Sequence, residues 1–380
     1  MNIVFVSSQP YPYGMAGSKR IRLFAEFLAK NNEVKVFVIG RNNDRNTNEG
    51  IENGVKYSFC KINKIQSFTN VIMVKKLLIS AKLNGSKNVI FLYDGIGLTN
   101  YLYAVVGKRL GFKVIVDIVE NYSLHQENTG FNLSVLHKIN LLFEKYIHKF
   151  SDGVVVISTR LKEKMKKLGV TEERMALIPV SAENIIFNID NKGINNSSDF
   201  TFIYAGSFGN KDGVGLLINA FKKLVRKRQG IKLLLAGKIN DFFLQTILDE
   251  PDITYVGMVP DQDYYQFLNS ADVLLMTRVN SGYANAGFPF KLGEYLATGK
   301  PVIATRVSDI EVYLKDKEDI FLAEPSNEAS LLEILEYVID SKSEISKVGL
   351  NGKLKCQLFF NPVINGDKLE KFIAKLFVNA

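Results

Sequence analysis

The sequence predicts an α/β protein built from two Rossmann-like units in tandem. Short β-rich apolar runs alternate with amphipathic helical stretches, a polar turn-rich segment at 188–198 interrupts them, and the same alternation then restarts. A chain of 380 residues suits two domains better than one.

In order, the strands expected in the first half are Ile3–Ser7, Glu33–Ile39, Val55–Cys60, Asn88–Tyr93, Lys113–Asp117 and Gly153–Ile157. They are near-continuous apolar runs, the pattern of parallel strands covered on both faces. Between them lie helical patterns at Gly17–Lys30, where Ile21, Phe24, Phe27 and Leu28 recur at helical spacing, and at Leu133–Phe150. Asn188–Ser198 is polar and rich in turn formers, which suits a linker. Beyond it come Phe200–Tyr204, a helix through Leu217, Ala220, Phe221 and Leu224, and strands Lys232–Ala236, Ile253–Val256, Val273–Met276 and Val302–Thr305. The tail Asp367–Phe377 carries Leu369, Phe372, Ile373 and Leu376 on one stripe and reads as a docked helix. The domains expected are therefore 1–188, 199–360 and a terminal helix at 361–380. Two such units create a cleft at the carboxyl ends of both sheets, where open α/β sheets bind ligands. Dehydrogenases, transferases, epimerases and binding proteins all suit that geometry, so motifs must choose among them.

Composition narrows the field. Apolar residues make up 47% and charged residues 23%, an ordinary globular balance. No apolar run reaches the roughly 18 residues of a membrane-spanning helix, and the start lacks a secretory signal. Cys60 and Cys356 indicate neither a disulfide framework nor a thiolate zinc site, and His125, His137 and His148 make no ligand spacing. A cytoplasmic protein without a structural metal is expected. The net charge of +9 comes with no nucleic-acid motif, which leaves phosphate-bearing substrates or an anionic membrane face as partners. The basic segments Lys75–Lys82 and Arg160–Lys167 read first as solvated helix faces, and second as membrane contacts.

Gly287–Thr305 is the most informative segment. A Gly-led loop opens a helix at about Pro289, the helix stops near Gly299, and Pro301 precedes a buried strand. Backbone N–H groups at Phe288, Pro289's successor Phe290 and Lys291, with the helix dipole behind them, suit a pyrophosphate, and the Lys291 side chain adds charge. Glu294, one turn further, can accept from two ribose hydroxyls. Tyr204–Val214 is a strand, a Gly-rich loop and a helix start, in which Gly206 and Ser207 allow close approach of a phosphate and Lys211 can stabilise a leaving diphosphate. After the first strand, Gln9–Arg20 is too long and proline-rich for a dinucleotide fingerprint, which disfavours a dehydrogenase. Val114–Asn121 ends a strand with Asp117 and Glu120, either of which can accept a hydrogen bond or a proton from a ligand hydroxyl, or simply cap a turn.

Gly287–Thr305 closely resembles the retaining glycosyltransferases of family 4, which carry Glu-x7-Glu followed by a small-Gly-x-Pro-Val-Ile-Ala run. The resemblance extends over essentially the whole chain and implies a GT-B fold, with a C-terminal helix returning to the N-terminal domain. It implies that Glu294 binds the donor ribose. Phe288, Pro289, Phe290, Lys291 and Leu292 then line the donor phosphates, with Gly14 and Gly17 as a looser form of the family's N-terminal Gly-Gly loop. Ala236-Gly237-Lys238 and Val256–Pro260 resemble the loops beside the donor base, which brings in Lys238 and Val259. Asp152–Ser158, Ile178-Pro179 leading to Glu183 and Phe187, and Ser270–Val273 match further family runs. The chain departs from the pattern at Ala286, where the first Glu belongs, and at Ser207, where Arg is usual. Asp212 is interposed between Lys211 and Gly213, Val180-Ser181 replaces Asn-Gly, and of the His or Asp that many relatives place at the end of the 113–117 strand, near the sugar, no His is present. The resemblance implies transfer of a sugar, with retention, from a nucleoside diphosphate sugar to a glycan or lipid-linked hydroxyl in bacterial surface polysaccharide assembly. No metal or other cofactor is required in this reading. Its alternatives are a nucleotide-sugar epimerase of the same architecture and a non-catalytic nucleotide-sugar-binding partner, the latter suggested by Ala286 and Ser207.

Overall fold

The structure, a computed structural model, describes residues 1–40, 49–61, 67–94, 97–121, 135–183, 199–239 and 241–378. The expected linker Asn188–Ser198, Phe187 and His125 lie outside the described residues. The chain forms two compact units: Met1–Val180 with Pro362–Ala380, and Ser181–Asn361.

The first unit holds an eight-stranded sheet in the order β3-β4-β2-β1-β5-β6-β7-β8. Its strands are β1 (Asn2–Ser7), β2 (Glu33–Gly40), β3 (Glu49–Glu52), β4 (Val55–Lys61), β5 (Asn88–Tyr93), β6 (Lys113–Ile118), β7 (Gly153–Val156) and β8 (Met175–Leu177). Its helices are α1 (Ala16–Ala29), α2 (Ser67–Ala81), α3 (Leu98–Arg109), α4 (Val135–Tyr146) and α5 (Thr159–Lys167). β1 and β5 are buried along their whole length, and in parallel register Val4 sits between Lys35 and Ile90. Every strand pair is parallel except β3–β4, an antiparallel hairpin that the apolar pattern did not predict. Its turn is Asn53-Gly54, both at positive φ (47° and 81°), which only such residues adopt cheaply.

The second unit has a six-stranded parallel sheet, β11-β10-β9-β12-β13-β14. Its strands are β9 (Phe200–Ala205), β10 (Ile231–Ala236), β11 (Ile253–Gly257), β12 (Val273–Met276), β13 (Val302–Thr305) and β14 (Phe321–Ala323). Its helices are α6 (Val214–Val225), α7 (Asp241–Ile247), α8 (Tyr264–Asn269), α9 (Gly282–Ala286), α10 (Phe290–Thr298), α11 (Ile310–Tyr313), α12 (Glu328–Asp340) and α13 (Lys342–Phe359). Phe202, Tyr204, Leu217, Phe221, Leu233 and Leu335 are fully buried in its core, each worth about 1.5–3 kcal/mol of transfer free energy. The strand order reverses between β9 and β12, so the loops after these two strands flank a topological switch point.

The last helix, α14 (Pro362–Lys375), packs on α1 in the first unit. Gly366 makes the approach possible, because a Cβ there would lie 2.3 Å from the Phe27 ring. Asn32 ties the pair by donating to Glu370 at 2.7 Å.

Candidate functional site

The loops at the second unit's switch point gather most of the polar residues singled out from sequence. β9 ends at Ala205, and the chain turns through Gly206 into a loop closed by the short 3₁₀ turn Asn210–Asp212 and by Gly213 at φ 65°. The backbone here leaves no room for side chains. A Cβ on Gly237, at the end of β10, would meet the Gly206 carbonyl at 1.8 Å, and one on Gly206 would meet Lys291 Nζ at 2.3 Å. The Lys291 ammonium therefore rests directly over the glycine loop.

α10 carries Lys291 and Glu294 on adjacent turns, with Pro289 as its N-cap residue rather than its first helical one. Tyr295 fixes this helix to the loop, since its hydroxyl accepts from Ala205 N and donates to Ala205 O, both at 2.8 Å. Ahead of the helix, Ser308 donates from its hydroxyl to Gly287 O and from its amide to Asn285 Oδ1 at 3.0 Å. Lys291 donates to the Tyr204 hydroxyl at 2.9 Å and lies 4.3 Å from that ring's centroid. The Tyr204 hydroxyl in turn donates to Ser207 O. Burial pulls the Lys291 ammonium down to about 8; the Asp212 and Glu294 carboxylates hold it up, and Arg278 and Lys211 push it further down.

Glu294 is only 8% exposed, and Tyr264 donates to its Oε2 at 3.2 Å. Burial, then the neighbouring Glu294 charge, holds the Tyr264 hydroxyl well above the usual phenol range. Lys211 donates to Tyr283 OH at 3.4 Å and sits 4.5 Å from that ring. Arg278, at the end of β12, is held through its backbone by Thr305 Oγ1, and its side chain donates to Ala284 O at 3.3 Å.

The individual expectations fare differently. Gly206, Ser207, Lys211, Lys291 and Glu294 all belong to these loops and to α10. The Phe288 side chain points instead into an aromatic cluster with Tyr313 and Phe360, so only its backbone is available to a ligand. Leu292 is fully buried and its amide is spent on Pro289 O at 3.1 Å, which corrects its assignment as a ligand contact. Pro289 is buried and Phe290 half-buried. Lys238 is exposed beyond β10, and Val259 is half-buried after β11. Ala286 is fully buried at the end of α9, so no carboxylate stands where the family pattern has one. Tyr204, Asp212, Tyr264, Arg278 and Tyr295 were not anticipated. Tyr204 and Tyr295, flanking Gly206 and Glu294 in sequence, were the available signal.

In the first unit the order reverses between β1 and β5. Gly17, in the first turn of α1, packs against Gln9 and Tyr93; an added Cβ would be 2.9 Å from each. Gly14 faces Ser18 in the same way, at 2.3 Å. Asp117 sits in a buried ion pair. It is fully buried, and Arg20 donates to both its oxygens, Nε to Oδ2 at 2.7 Å and Nη2 to Oδ1 at 3.0 Å. Arg20 also reaches Pro179 O (2.8 Å) and Ile178 O (3.0 Å), so this pair braces α1, β6 and the segment after β8. Arg20, whose place after the Gly-containing loop suits either a ligand-facing or a surface helix start, is 3% exposed. Glu120, two residues past β6, remains half-buried. At the far end of β5, Asp94 adopts φ 48°, and burial, then Glu120, Asp117 and Glu144, raise its carboxyl to about 7. Among the described residues there is no group of three His, Cys, Asp or Glu that could hold a metal ion, and no helix long and apolar enough to cross a membrane.

Comparison with known proteins bears on the fold and on the second unit. Residues 199–341 match the family model for glycosyl transferases group 1. The capsular polysaccharide biosynthesis glycosyltransferase CapM of Staphylococcus aureus is 24% identical over 259 residues, which is 63% of this chain and 65% of CapM. The amylovoran biosynthesis glycosyltransferase AmsK of Erwinia amylovora is 22% identical over 257 residues, 65% of this chain and 62% of AmsK. The chain thus spans somewhat under two thirds of these relatives. Sucrose-phosphate synthase from Thermosynechococcus elongatus superposes with a TM-score of 0.77 at 17% identity, covering 100% of both chains. Anabaena HepE in complex with UDP and glucose does so with a TM-score of 0.77 at 13% identity, covering 98% of this chain and 100% of HepE. The chain has the α/β fold of these GT-B glycosyltransferases, and its second unit carries the match to glycosyl transferases group 1.

Proposed function

We propose that the protein is a glycosyltransferase of polysaccharide biosynthesis that takes a nucleoside diphosphate sugar in its second unit. In this reading it passes the sugar, with retention, to a hydroxyl of a glycan or lipid-linked acceptor. The observation that carries the proposal is the α10 N-terminus set over the Gly206 loop, with Lys291 and Glu294 one turn apart on the same helix. Helix amides, the dipole and the two lysines suit a diphosphate, and Glu294 suits two ribose hydroxyls. As the glycosidic bond breaks, negative charge gathers on the departing diphosphate, and these fixed groups stabilise it without reorganising. They also supply positive charge in place of a metal, so activity is expected to survive a chelator. The names of CapM and AmsK favour surface polysaccharide as the pathway, and the UDP in HepE makes uracil the first base to test.

On the acceptor side, Glu120 is the remaining carboxylate after β6, with Asp117 committed to Arg20. An anionic membrane surface is a further partner in this reading. It is supported by α2, whose exposed Ile72 and Ile79 alternate with exposed Lys75 and Lys76, with exposed Lys82 just beyond its end. The other basic segment is less suited, because Lys162 and Lys166 pair with Glu172 at 2.8 and 2.6 Å and Lys164 pairs with Glu144.

Thermal-shift titration with UDP-, GDP-, ADP- and dTDP-sugars, repeated on Glu294→Ala, tests the donor site. A shift with one base family that the variant loses supports it, and no shift with any nucleotide sugar removes it. Incubation with the preferred donor and no acceptor separates the rivals, since sugar interconversion indicates an epimerase. Donor binding without transfer or hydrolysis indicates a partner subunit.

A further inference from the structure

We propose that Asp212 is an internal counter-ion that occupies the Lys291 ammonium until a diphosphate displaces it, and thereby sets how tightly the site retains its nucleotide product. The inference rests on the donor-site reading above and specifies how that site is regulated.

Asp212 is 2% exposed. Its Oδ2 accepts from Ser207 Oγ at 2.6 Å and from Gly209 N at 3.2 Å. Thr277 Oγ1 donates to its backbone carbonyl at 2.8 Å. The loop therefore holds this carboxylate in one orientation, with Oδ1 turned toward Lys291 Nζ at 3.8 Å. The Lys291 side chain is 14% exposed, and its ammonium lies over Gly206, at the mouth of the loop. A buried carboxylate is costly unless it is hydrogen-bonded and paired, and here every partner comes from the loop or from α10. Burial is what pulls Lys291 down, and Asp212 is the largest influence opposing it.

Both residues that set this loop apart from the family pattern belong to this arrangement. Ser207 stands where Arg is usual, and it donates to Asp212, the residue interposed before Gly213. Compared with the pattern, the loop has lost a cation and gained an anion, and the two changes are in contact. A diphosphate arriving over Gly206 competes with Asp212 for one ammonium and is repelled by the carboxylate it displaces. Product release limits many enzymes, so such a counter-ion favours turnover at the expense of affinity.

Calorimetric titration of the full chain with UDP, GDP, ADP and dTDP at pH 6.5 and low salt tests this, because that pH lies below the value of about 8 at which Lys291 titrates in wild type. Asp212→Asn, which keeps the side chain's shape and an acceptor for Ser207, is expected to bind the preferred nucleoside diphosphate at least about tenfold tighter. Affinity for the bare nucleoside stays unchanged, and Lys291→Met in the Asp212→Asn background cancels the gain. Asp212→Ser, a second variant in case the first folds poorly, must move affinity the same way. Unchanged or weaker binding by these variants, with wild type binding normally, overturns the inference and leaves the donor site standing. Absence of nucleoside diphosphate binding by wild type and variants alike overturns both.

Discussion

Replacing Arg20 by methionine tests whether Asp117 is a brace or a reacting group. The substitution keeps an apolar stem against Phe24, whose ring lies 4.7 Å from the guanidinium carbon, but removes four hydrogen bonds. Two of these go to the fully buried Asp117 and two to the carbonyls of Ile178 and Pro179. Deleting one partner of a buried pair leaves an uncompensated charge and costs about 3–5 kcal/mol. For a unit of this size each kcal/mol moves Tm by roughly 2–4 °C, so the expected drop is about 6–20 °C. Differential scanning calorimetry of the full chain is the assay, with wild type scanned under the same conditions as reference. The double variant Arg20→Met with Asp117→Leu is expected to recover most of the loss, since an apolar replacement of the whole pair leaves no orphaned charge. A Tm within about 2 °C of wild type for Arg20→Met refutes the bracing argument. So does an Asp117→Asn variant that unfolds normally yet has lost sugar transfer, which restores Asp117 as a reacting group.

Three further outcomes follow from the second unit. Burial lowers Lys291 to about 8, so its cation is fully present below that pH and is lost above it. Nucleoside diphosphate affinity measured between pH 6.5 and 9.5 should therefore fall as pH rises, with Asp212, Glu294, Arg278 and Lys211 as the charges facing the ammonium. Lys291→Met should bind about 10–100-fold more weakly at pH 6.5 and flatten that dependence. Glu294→Ala should erase any preference for a ribonucleotide over its 2′-deoxy counterpart, read by competition titration; a preference that persists removes Glu294 from the ribose. Gly237→Ala should destabilise the second unit by more than about 3 kcal/mol in guanidinium unfolding, because Gly237 has φ 130° and its Cβ would meet Gly206 O at 1.8 Å; a loss under about 1 kcal/mol shows that the loop can move aside.

The parallel strands were legible because each is a short apolar run, and the observed ends of β5, β12 and β13 coincide with the expected ones. β14 escaped notice because only three residues pair. The β3–β4 hairpin was missed although Asn53-Gly54 is a strong turn signal, since Glu49–Glu52 has no apolar alternation at a sheet edge. The donor-side residues were legible where chemistry sits in a local motif, as in Lys291 and Glu294. Their partners were not, because Tyr204 lies 87 residues from Lys291 and Arg20 lies 97 from Asp117. No local spacing encodes such pairings; only the strand order creates them. Nothing in the run Lys19-Arg20-Ile21-Arg22 marks Arg20 out from its basic neighbours, and only the tertiary fold turns it inward.

The same limit bears on how Ala286 and Ser207 are weighed. Read singly, each is a lost charged group, and together they favour a protein that binds a nucleotide sugar without acting on it. The structure removes half of that argument. Ser207 has a partner of its own in Asp212, so its position is integrated into the loop rather than vacated. Lys291, Lys211 and Arg278 still stand around the same glycines, on α10, the 3₁₀ turn and the end of β12. A site that had only to hold a ligand would gain nothing from a buried anion beside its cation, because the anion weakens retention. A site that must release a charged product on every turnover has a use for one. Ala286 alone then carries the non-catalytic reading, and Ala286→Glu decides its weight. Since Ala286 is fully buried, a variant that folds and transfers sugar faster identifies a missing catalytic carboxylate, whereas one that only loses stability shows that this position is occupied by packing.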